Sequence, residues 1–281
     1  MTTHIIRTEG AKLTVYLEGP EWEGAPSATL GDFSCETPEA GREVLRRAIE
    51  HIRDAGGDRV IGPMSGDTWH SYRVVSESDG SAAFLMEPTH KPHEAELFRA
   101  AGFSVISKYF SARVALAQTA QAPPAAREAF EVEAWDGRNP EALFRQVYAL
   151  SVEAFSGNAF YKPISESDFL AMYMPVVPML KRELIFFARR PDGSLAGFLF
   201  GIPNYAEGPN PSAAILKTYA SLERGAGRHL ASHFHKSALQ LGFDTAIHAL
   251  IHDDNQSAER SVAEGATVFR RYELLGLRLD G

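Results

Sequence analysis

The chain contains a single cysteine, Cys35, among its 281 residues. One thiol excludes an internal disulfide and a cysteine-based metal cluster, and it is interpreted as a small apolar residue in a reducing compartment. No apolar stretch approaches the ~20 residues that a membrane span needs. The first residues also lack the apolar segment of a signal peptide. The sequence therefore predicts a cytoplasmic protein without a membrane partner.

A basic surface is also missing, because the net charge is −8 and no stripe of Lys and Arg occurs. This balance argues against a nucleic-acid partner and is compatible with a cationic or amine substrate. With 44% hydrophobic and 23% charged residues, the composition is that of a globular protein with a substantial core. The length suggests two domains or one large one.

Two common nucleotide-binding motifs are absent. A Rossmann site needs three glycines and an acidic residue on the next strand, and a Walker loop needs a Gly-Lys-Ser/Thr ending. Neither pattern occurs at the glycine turn Gly225-Ala226-Gly227. Nicotinamide dinucleotide and ATP are therefore not the natural ligands of this turn.

The glycine turn itself lies between an apolar, strand-like run at 213–220 and a helical pattern. Apolar residues recur on one face of that helix at Leu230, Phe234, Ala238 and Leu241. A strand, a tight glycine turn and a helix N-terminus form an anion site, because backbone N–H groups converge there and the helix dipole favours negative charge. Arg224, Arg228 and His229 flank the turn and can add charge-assisted hydrogen bonds to a pyrophosphate. The pattern predicts a phosphate-bearing cofactor at residues 223–229, held without a metal.

A stretch rich in Ala, Gln and Pro predicts a linker at residues 117–127, between domains at 1–116 and 128–281. The two domains look like distant copies, because each has a helix, a strand, a second helix and a last strand in the same order. The span from Gly57 to Gly102 in the first copy is 45 residues, against 23 from Gly242 to Gly265 in the second. The extra residues of the first copy include Trp69-His70.

The first copy lacks the glycine turn. The matching segment, Cys35 to Gly41, contains Glu36 and Glu39 where an anion would bind. Repulsion makes this segment a poor phosphate site. The first domain is therefore interpreted as structural or substrate-gating.

The second half is predicted to run strand, two helices, hairpin, strand, glycine turn, helix, strand, helix, strand. This order resembles the GNAT superfamily of acyl-CoA N-acyltransferases over residues 130–281, and more weakly over the first half, as in tandem members with one degenerate copy. The residues that carry the resemblance are Glu223 to Arg228, Asn255 followed by Ser257, and Phe269 to Tyr272. It implies an α/β fold of two tandem GNAT-like domains, each with a mixed central sheet flanked by helices.

The resemblance implies that acetyl-CoA is the cosubstrate. Its pyrophosphate is expected at Arg224, Gly225, Ala226, Gly227 and Arg228. Its pantetheine arm is expected along the backbone of Tyr219, Ala220 and Ser221, and beside Asn255 and Ser257. Tyr272 is expected to protonate the departing thiolate.

The implied reaction is transfer of an acetyl or other short acyl group from coenzyme A to a small-molecule or peptide amine. The alternative is a non-catalytic CoA-binding sensor or assembly module. No general base stands out; His252, Glu207 and a water chain are the candidates. The acceptor pocket is expected at residues 157–162 and 203–205 and near Tyr173.

Several of these residues have a second interpretation. Asn255 is also a natural helix N-cap, and Tyr272 also fits an ordinary strand aromatic. His248 and His252 alternate on one predicted strand face, but no suitable third ligand is close in sequence, so no metal is predicted. Lys217, on an apolar strand, either lies at an edge or lines the acceptor site.

Overall fold

The structure is a computed structural model that describes residues 2–89, 91, 93–119 and 130–279. Within this part of the chain, twelve strands form one mixed sheet. The strands are β1 (Thr3–Thr8), β2 (Ala11–Tyr16), β3 (Ala28–Cys35), β4 (Arg59–Gly62), β5 (Val74–Ser78), β6 (Ser104–Ala115), β7 (Glu131–Ala134), β8 (Ile185–Arg189), β9 (Leu195–Pro203), β10 (Ala213–Ser221), β11 (Thr245–His252) and β12 (Thr267–Arg278).

The helices are α1 (Pro38–Asp54), α2 (Glu94–Ala100), α3 (Leu116–Thr119), α4 (Pro140–Phe155), α5 (Glu166–Tyr173), α6 (Ala226–Gln240) and α7 (Gln256–Ala263). Short 3-10 turns occupy Met174–Met179, Arg182–Leu184 and Tyr205–Glu207. None of the helices in the described residues is long and apolar enough to cross a membrane. The predicted α/β class, with mixed sheets flanked by helices, is confirmed.

The sheet joins the two halves of the chain through their last strands. Its order is β1-β2-β3-β4-β12-β6-β11-β10-β9-β8-β7, with β5 paired to β12. Thus β6, the last strand of the first half, pairs with β11 of the second half. In return, β12 pairs with β4 of the first half. The two predicted sheets are therefore continuous, and each half completes the other.

The predicted linker falls partly outside the described residues. Residues 117–119 lie in α3, and residues 120–127 are not described. The predicted helix over residues 92–101 is observed as α2, and its first residue, Pro92, also lies outside the described part.

Three helices of the second half cover the two faces of the sheet. Leu230, Phe234 and Ala238 of α6 are buried on one face, as the helical pattern predicts. The opposite face is covered by α4 and α5, which bury Phe144 and Phe169 against the sheet. Since the sheet is covered on both faces, ligands reach its centre only where strands separate.

One predicted helix is shorter than expected. The pattern over residues 165–180 predicts a single helix, but the α-helix ends at Tyr173 and a 3-10 turn follows. Pro175 and Pro178 explain the change, because proline lacks the N–H that an α-helix needs and clashes with the preceding turn. Strands β1, β2, β3 and β5 are not predicted from the sequence pattern.

Candidate functional site

The glycine turn has the geometry that the sequence predicts. Gly225 adopts a φ of 102°, a conformation that favours glycine, and α6 begins at the next residue. A Cβ on Gly227 would lie 2.7 Å from Nη1 of Arg260 and 2.9 Å from Cε2 of Tyr219. Because residue 227 has no side chain, the Arg260 guanidinium and the Tyr219 ring can lie directly against the start of α6.

Several amides at this turn have no hydrogen-bond acceptor among the described residues. They are those of residues 223–225 and of Gly227, whereas Arg228 N–H donates to Gly225 at 2.9 Å. Unpaired amides at a helix start, together with the helix dipole, favour an anion. Arg224 and Arg228 are exposed beside them. The turn can therefore hold a phosphate or diphosphate group.

An opening in the sheet leads away from the turn. The parallel pairing of β10 with β11 ends at Leu216 and His248, although β10 continues to Ser221 and β11 to His252. Both strands are irregular there, with register shifts at Leu216–Thr218 and His248–Ile251. Residues 217–219 and 249–250 are partly exposed although they lie in central strands. An extended ligand arm can therefore enter between the two strands.

Some predicted cofactor residues converge at this opening and others do not. The ring of Tyr219 lies beside Gly227 and near the Arg260 guanidinium, and burial raises the pKa of its hydroxyl. Ala220 is buried on the α4 side of the sheet. Ser221 turns its hydroxyl to the carbonyl of Glu223.

Asn255 acts as the N-cap of α7, and its side-chain oxygen accepts the Ser257 N–H at 3.1 Å. The structure therefore shows the helix-capping role that the sequence allows for Asn255. Contact with a cofactor stays a prediction for both residues.

Arg260 is a residue that the sequence analysis does not single out. It lies on α7, and its Nη1 reaches the start of α6. The positive charge of Arg260 strengthens the anion site. Only the packing of α7 beside α6 brings it there, so no local sequence signal identifies it.

Tyr272 is fully buried on β12. Its hydroxyl donates to Glu87 and lies 3.0 Å from the Ser111 hydroxyl, which accepts the Leu250 N–H at 2.9 Å. Burial and the Glu87 carboxylate raise its pKa well above the usual range. β6 lies between β12 and β11, and the Tyr272 hydroxyl is linked to the Leu250 amide of β11 through the Ser111 hydroxyl. Its role as acid stays a prediction.

The two candidate side-chain bases are both held in hydrogen bonds. Nδ1 of His252 accepts the Asp254 N–H at 3.1 Å, and its Nε2 is 2.9 Å from the Ser107 hydroxyl. Glu207 accepts from Asn204, from Ser212 and from the Ala213 N–H. Burial tends to raise the pKa of Glu207, but these bonds outweigh it and lower the pKa. Glu207 thereby fixes the β9–β10 connection.

The prediction that His248 and His252 share one strand face is wrong. The irregularity at Leu250, where φ is 56°, reverses the alternation along β11. His248 instead faces α6, where its Nε2 is 3.0 Å from Nε2 of His235, while its Nδ1 is 3.0 Å from the Ser261 hydroxyl.

The buried histidine pair is a neutral hydrogen-bonded pair. Potential ligand atoms of His235, His248 and Glu264 lie within 4.8 Å of one another. The two rings are nearly parallel with centroids 5.2 Å apart, and their Nε2 atoms, 3.0 Å apart, are within hydrogen-bond distance. Burial lowers the pKa of His235 to about 3 and that of His248 to about 4.

The extra residues of the first half cover the predicted acceptor region. The Trp69 indole N–H donates to the Lys162 carbonyl at 2.8 Å, and its ring packs edge-on against Tyr161 and Phe169. Leu85 N–H donates to the Asn204 side chain at 2.9 Å. The first half therefore forms one wall of this region.

Neither a protein-family model nor a curated protein matches the sequence. Solved structures do match. A tandem GNAT protein from the clavulanic acid biosynthesis pathway, determined without AcCoA, aligns with a TM-score of 0.59 at 16% identity over 98% of this chain and 83% of that chain. A GCN5-related N-acetyltransferase from Sphaerobacter thermophilus aligns with a TM-score of 0.57 at 14% identity, over 96% of this chain and 76% of that chain.

A GCN5-related N-acetyltransferase from Anabaena variabilis ATCC 29413 gives 0.56 at 12% identity, over 98% of this chain and 62% of that chain. These alignments extend over both halves. The chain therefore has the tandem GNAT fold, as the resemblance implies.

Proposed function

We propose that this chain, which has the tandem GNAT fold, is an N-acyltransferase that moves a short acyl group, most simply acetyl, from coenzyme A to an amine. The observation that carries the proposal is the pair of features at the end of β10. Amides with no acceptor among the described residues lie just before α6 and in its first turn, and the sheet opens directly beside them. A diphosphate joined to a long, thin arm with a reactive end fits this pair of features.

Three arginines support a diphosphate at the turn. Arg224 and Arg228 flank the glycines, and Arg260 reaches them from α7. Charge-assisted hydrogen bonds to phosphate oxygens are about twice as strong as neutral ones. The solved tandem GNAT protein is described with reference to AcCoA, which supports acetyl-CoA as the donor here.

The opening between β10 and β11 supports direct attack. β10 is hydrogen-bonded to β9 from Thr218 to Ser221, and no described strand pairs with its other edge there. Its free amide and carbonyl groups can bond to the arm and polarise the thioester carbonyl. The amine must arrive neutral, since an ammonium has no lone pair. Its nitrogen bonds to the carbonyl carbon and loses a proton, the carbon–sulfur bond breaks, and the departing sulfur gains a proton.

The experiment has two stages. Isothermal calorimetry with acetyl-CoA tests the donor site, and we expect saturable binding that phosphate-free pantetheine does not reproduce. A thiol-release assay with acetyl-CoA and a panel of amines then separates an enzyme from a sensor. Thiol release that depends on an amine supports the enzyme. Tight binding with no turnover for any amine supports the sensor, and no heat at millimolar acetyl-CoA contradicts both.

A further inference from the structure

Two cationic side chains from different halves of the chain meet at the opening between β10 and β11. Lys217 lies at the register shift of β10, one residue after its pairing with β11 ends. Arg73 precedes β5 and donates from Nη1 to the carbonyl of Leu250, at the register shift of β11, at 3.2 Å. Lys217 therefore lies on one strand of the gap, and Arg73, from the segment before β5, bonds to the other.

Arg73 is held in place but is not fully bonded. Its guanidinium carbon lies 3.8 Å from the ring centre of Tyr72 and 4.2 Å from that of Tyr109. Apart from the bond to Leu250, it donates no hydrogen bond to a described residue, and its Nε is buried without a partner. A buried donor without an acceptor is unfavourable, so this edge favours a ligand that supplies one. A guanidinium oriented by two rings, with its Nε–Nη2 edge free, matches a group with two oxygens.

Lys217 also has no hydrogen-bond partner among the described residues, although its strand is central in the sheet. Burial, together with the positive charge of Arg73, lowers the pKa of Lys217 to about 8.

The charge of Glu87 offsets part of the effect of burial and of Arg73 on Lys217, but its carboxylate is bonded to other groups. Glu87 accepts from Nη1 of Arg270 at 2.7 Å, from the Tyr272 hydroxyl and from the Phe84 N–H at 3.0 Å. Its oxygens are therefore already occupied by a cation and two neutral donors. The gap keeps an excess of positive charge in a protein whose net charge is −8.

We propose that Arg73 and Lys217 bind an anionic oxyacid group of the acceptor, so that the acceptor is an amine that also carries a carboxylate or a phosphate. This inference rests on the proposed function and adds the substrate class. The acid binds to the free edge of the guanidinium and to the ammonium, which orients the amine toward the end of the opening where the thioester carbonyl lies. The first half thereby supplies part of the acceptor site of the second.

The test compares pairs of acceptors that differ only in the acid. L-phenylalanine with L-phenylalaninamide, and L-lysine with L-lysinamide, examine the carboxylate; O-phosphoethanolamine with ethanolamine examines the phosphate. Thiol release from acetyl-CoA is measured for each. We expect kcat/KM at least tenfold higher for the anionic member of one class. The amide has the less basic amine, so such a preference does not arise from easier deprotonation.

Two variants locate the effect. Lys217→Met and Arg73→Gln are expected to raise KM for the anionic acceptor at least tenfold, with a smaller change in kcat and less than a twofold change in KM for the neutral member. Lys236→Met, at a half-buried position of α6 away from the gap, is the matched control. Equal use of anionic and neutral amines, or an equal loss for both members in Lys217→Met, contradicts the proposal.

A chain without turnover still tests the anion site. In that case inorganic phosphate and acetate are titrated by NMR into the wild type and into Lys217→Met. Binding to the wild type that weakens at least tenfold in the variant supports the site even if the proposed acyl transfer fails. Absence of binding for both ions overturns it, whatever the outcome with acetyl-CoA.

Discussion

The β3–α1 unit and the β10–α6 unit share a topology and differ in what occupies the gap beside the first strand. In each, a strand pairs in parallel with the strand after the helix for only a few residues, Ala28–Thr29 with Val60–Ile61 in the first unit. In the second unit the gap is open. In the first it is filled by the chain after β4, where Met64 N–H donates to the Leu30 carbonyl at 2.7 Å.

The N-terminus of α1 is capped and carries a negative charge, whereas that of α6 is uncapped and is surrounded by positive charge. Thr37 caps α1 by accepting the Ala40 N–H at 3.2 Å, Pro38 has no N–H to offer, and Glu39 adds a negative charge in the first turn. The start of α6 has glycine in place of a capping side chain and arginines around it. The same topology therefore gives a closed structural unit in the first half and an anion site in the second. A few residues at the turn, and the segment that follows the second strand, determine which of the two forms.

The largest expected effect is on the pH dependence of stability, because α1 and α6 bury different kinds of side chain. α1 buries apolar residues, whereas α6 buries His235 against His248. Since both folded-state pKa values lie below the ordinary value of 6.5, the unfolded state binds more protons below about pH 6.5, and stability falls as the pH drops toward 4. Between pH 7.5 and 5 we expect a loss of roughly 4 kcal/mol in the free energy of unfolding, about 2 kcal/mol for each histidine.

Urea unfolding at the two pH values measures this loss. His235→Gln keeps a hydrogen-bonding side chain but removes one titrating group, so its loss should be about half that of the wild type. A stability that does not change between the two pH values would show that the pair is not neutral and buried in solution.

The second prediction concerns acetyl-CoA binding, and it uses a substitution that removes the main difference between the two helix N-termini. Gly227→Glu places a carboxylate at the start of α6, as Glu39 does in α1. Repulsion of the diphosphate, together with the displaced Arg260 and Tyr219, is expected to weaken acetyl-CoA binding at least a hundredfold, or about 2.7 kcal/mol. Calorimetry measures the affinity. Gln240→Glu adds the same charge at the other end of α6 and should leave the affinity within twofold; an unchanged affinity in Gly227→Glu would remove the turn from the donor site.

The second unit was largely predictable from sequence because its signals are local. The spacing of Leu230, Phe234 and Ala238 gives α6, and the glycines give its start. The exchange of β6 and β12 was not predictable, because strand alternation reports which face is buried and not which strand is the neighbour. The prediction for His248 and His252 failed for a related reason, since one irregular residue in β11 reverses every later side chain.

The parts of the site that sequence did not give come from distant segments. Arg260 and Arg73 reach the gap through the packing of α7 and of the segment before β5. Trp69 was noticed only as part of the extra segment, and its contact with the Lys162 carbonyl spans the two halves. Such contacts leave no periodic pattern in the chain.

A third prediction concerns the stability of the first unit, where the segment after β4 fills the gap beside β3. A Cβ on Gly31 would lie 2.5 Å from Cα of Ser65, in the segment that fills the gap of the first unit. Since backbone cannot move as a flexible side chain does, Gly31→Ala should cost about 2 kcal/mol of stability. Its affinity for acetyl-CoA should stay within twofold, because the second unit is untouched. Urea unfolding and calorimetry measure the two quantities, and a variant as stable as the wild type would contradict the tight packing of the segment against β3.

Tyr272→Phe asks whether strands outside the second unit contribute to the reaction. We expect kcat to fall about tenfold, or about 1.4 kcal/mol, because an acid is of modest help to a thiolate whose ordinary pKa is near 8.5. Pre-steady-state thiol release, with Ser257→Ala as a control for binding, assigns the loss to the chemical step. An unchanged kcat would leave Tyr272 as a structural partner of Glu87.

The smallest expected effect is a gain in acetyl-CoA affinity when the glycine turn loses its acidic residue. Glu223 is the one acidic residue in the segment from Leu222 to His229, and it forms an ion pair with Arg190. Glu223→Gln removes a negative charge beside the diphosphate site and frees an arginine, so acetyl-CoA should bind two- to threefold more tightly, or about 0.5 kcal/mol. Glu133→Gln breaks a comparable exposed pair with Arg189 and should change nothing. The gain should shrink in 0.5 M salt, because exposed charges are screened over a few ångströms there. A gain that persists in salt would come from a change in loop conformation, and the charge of Glu223 would then not separate the two turns.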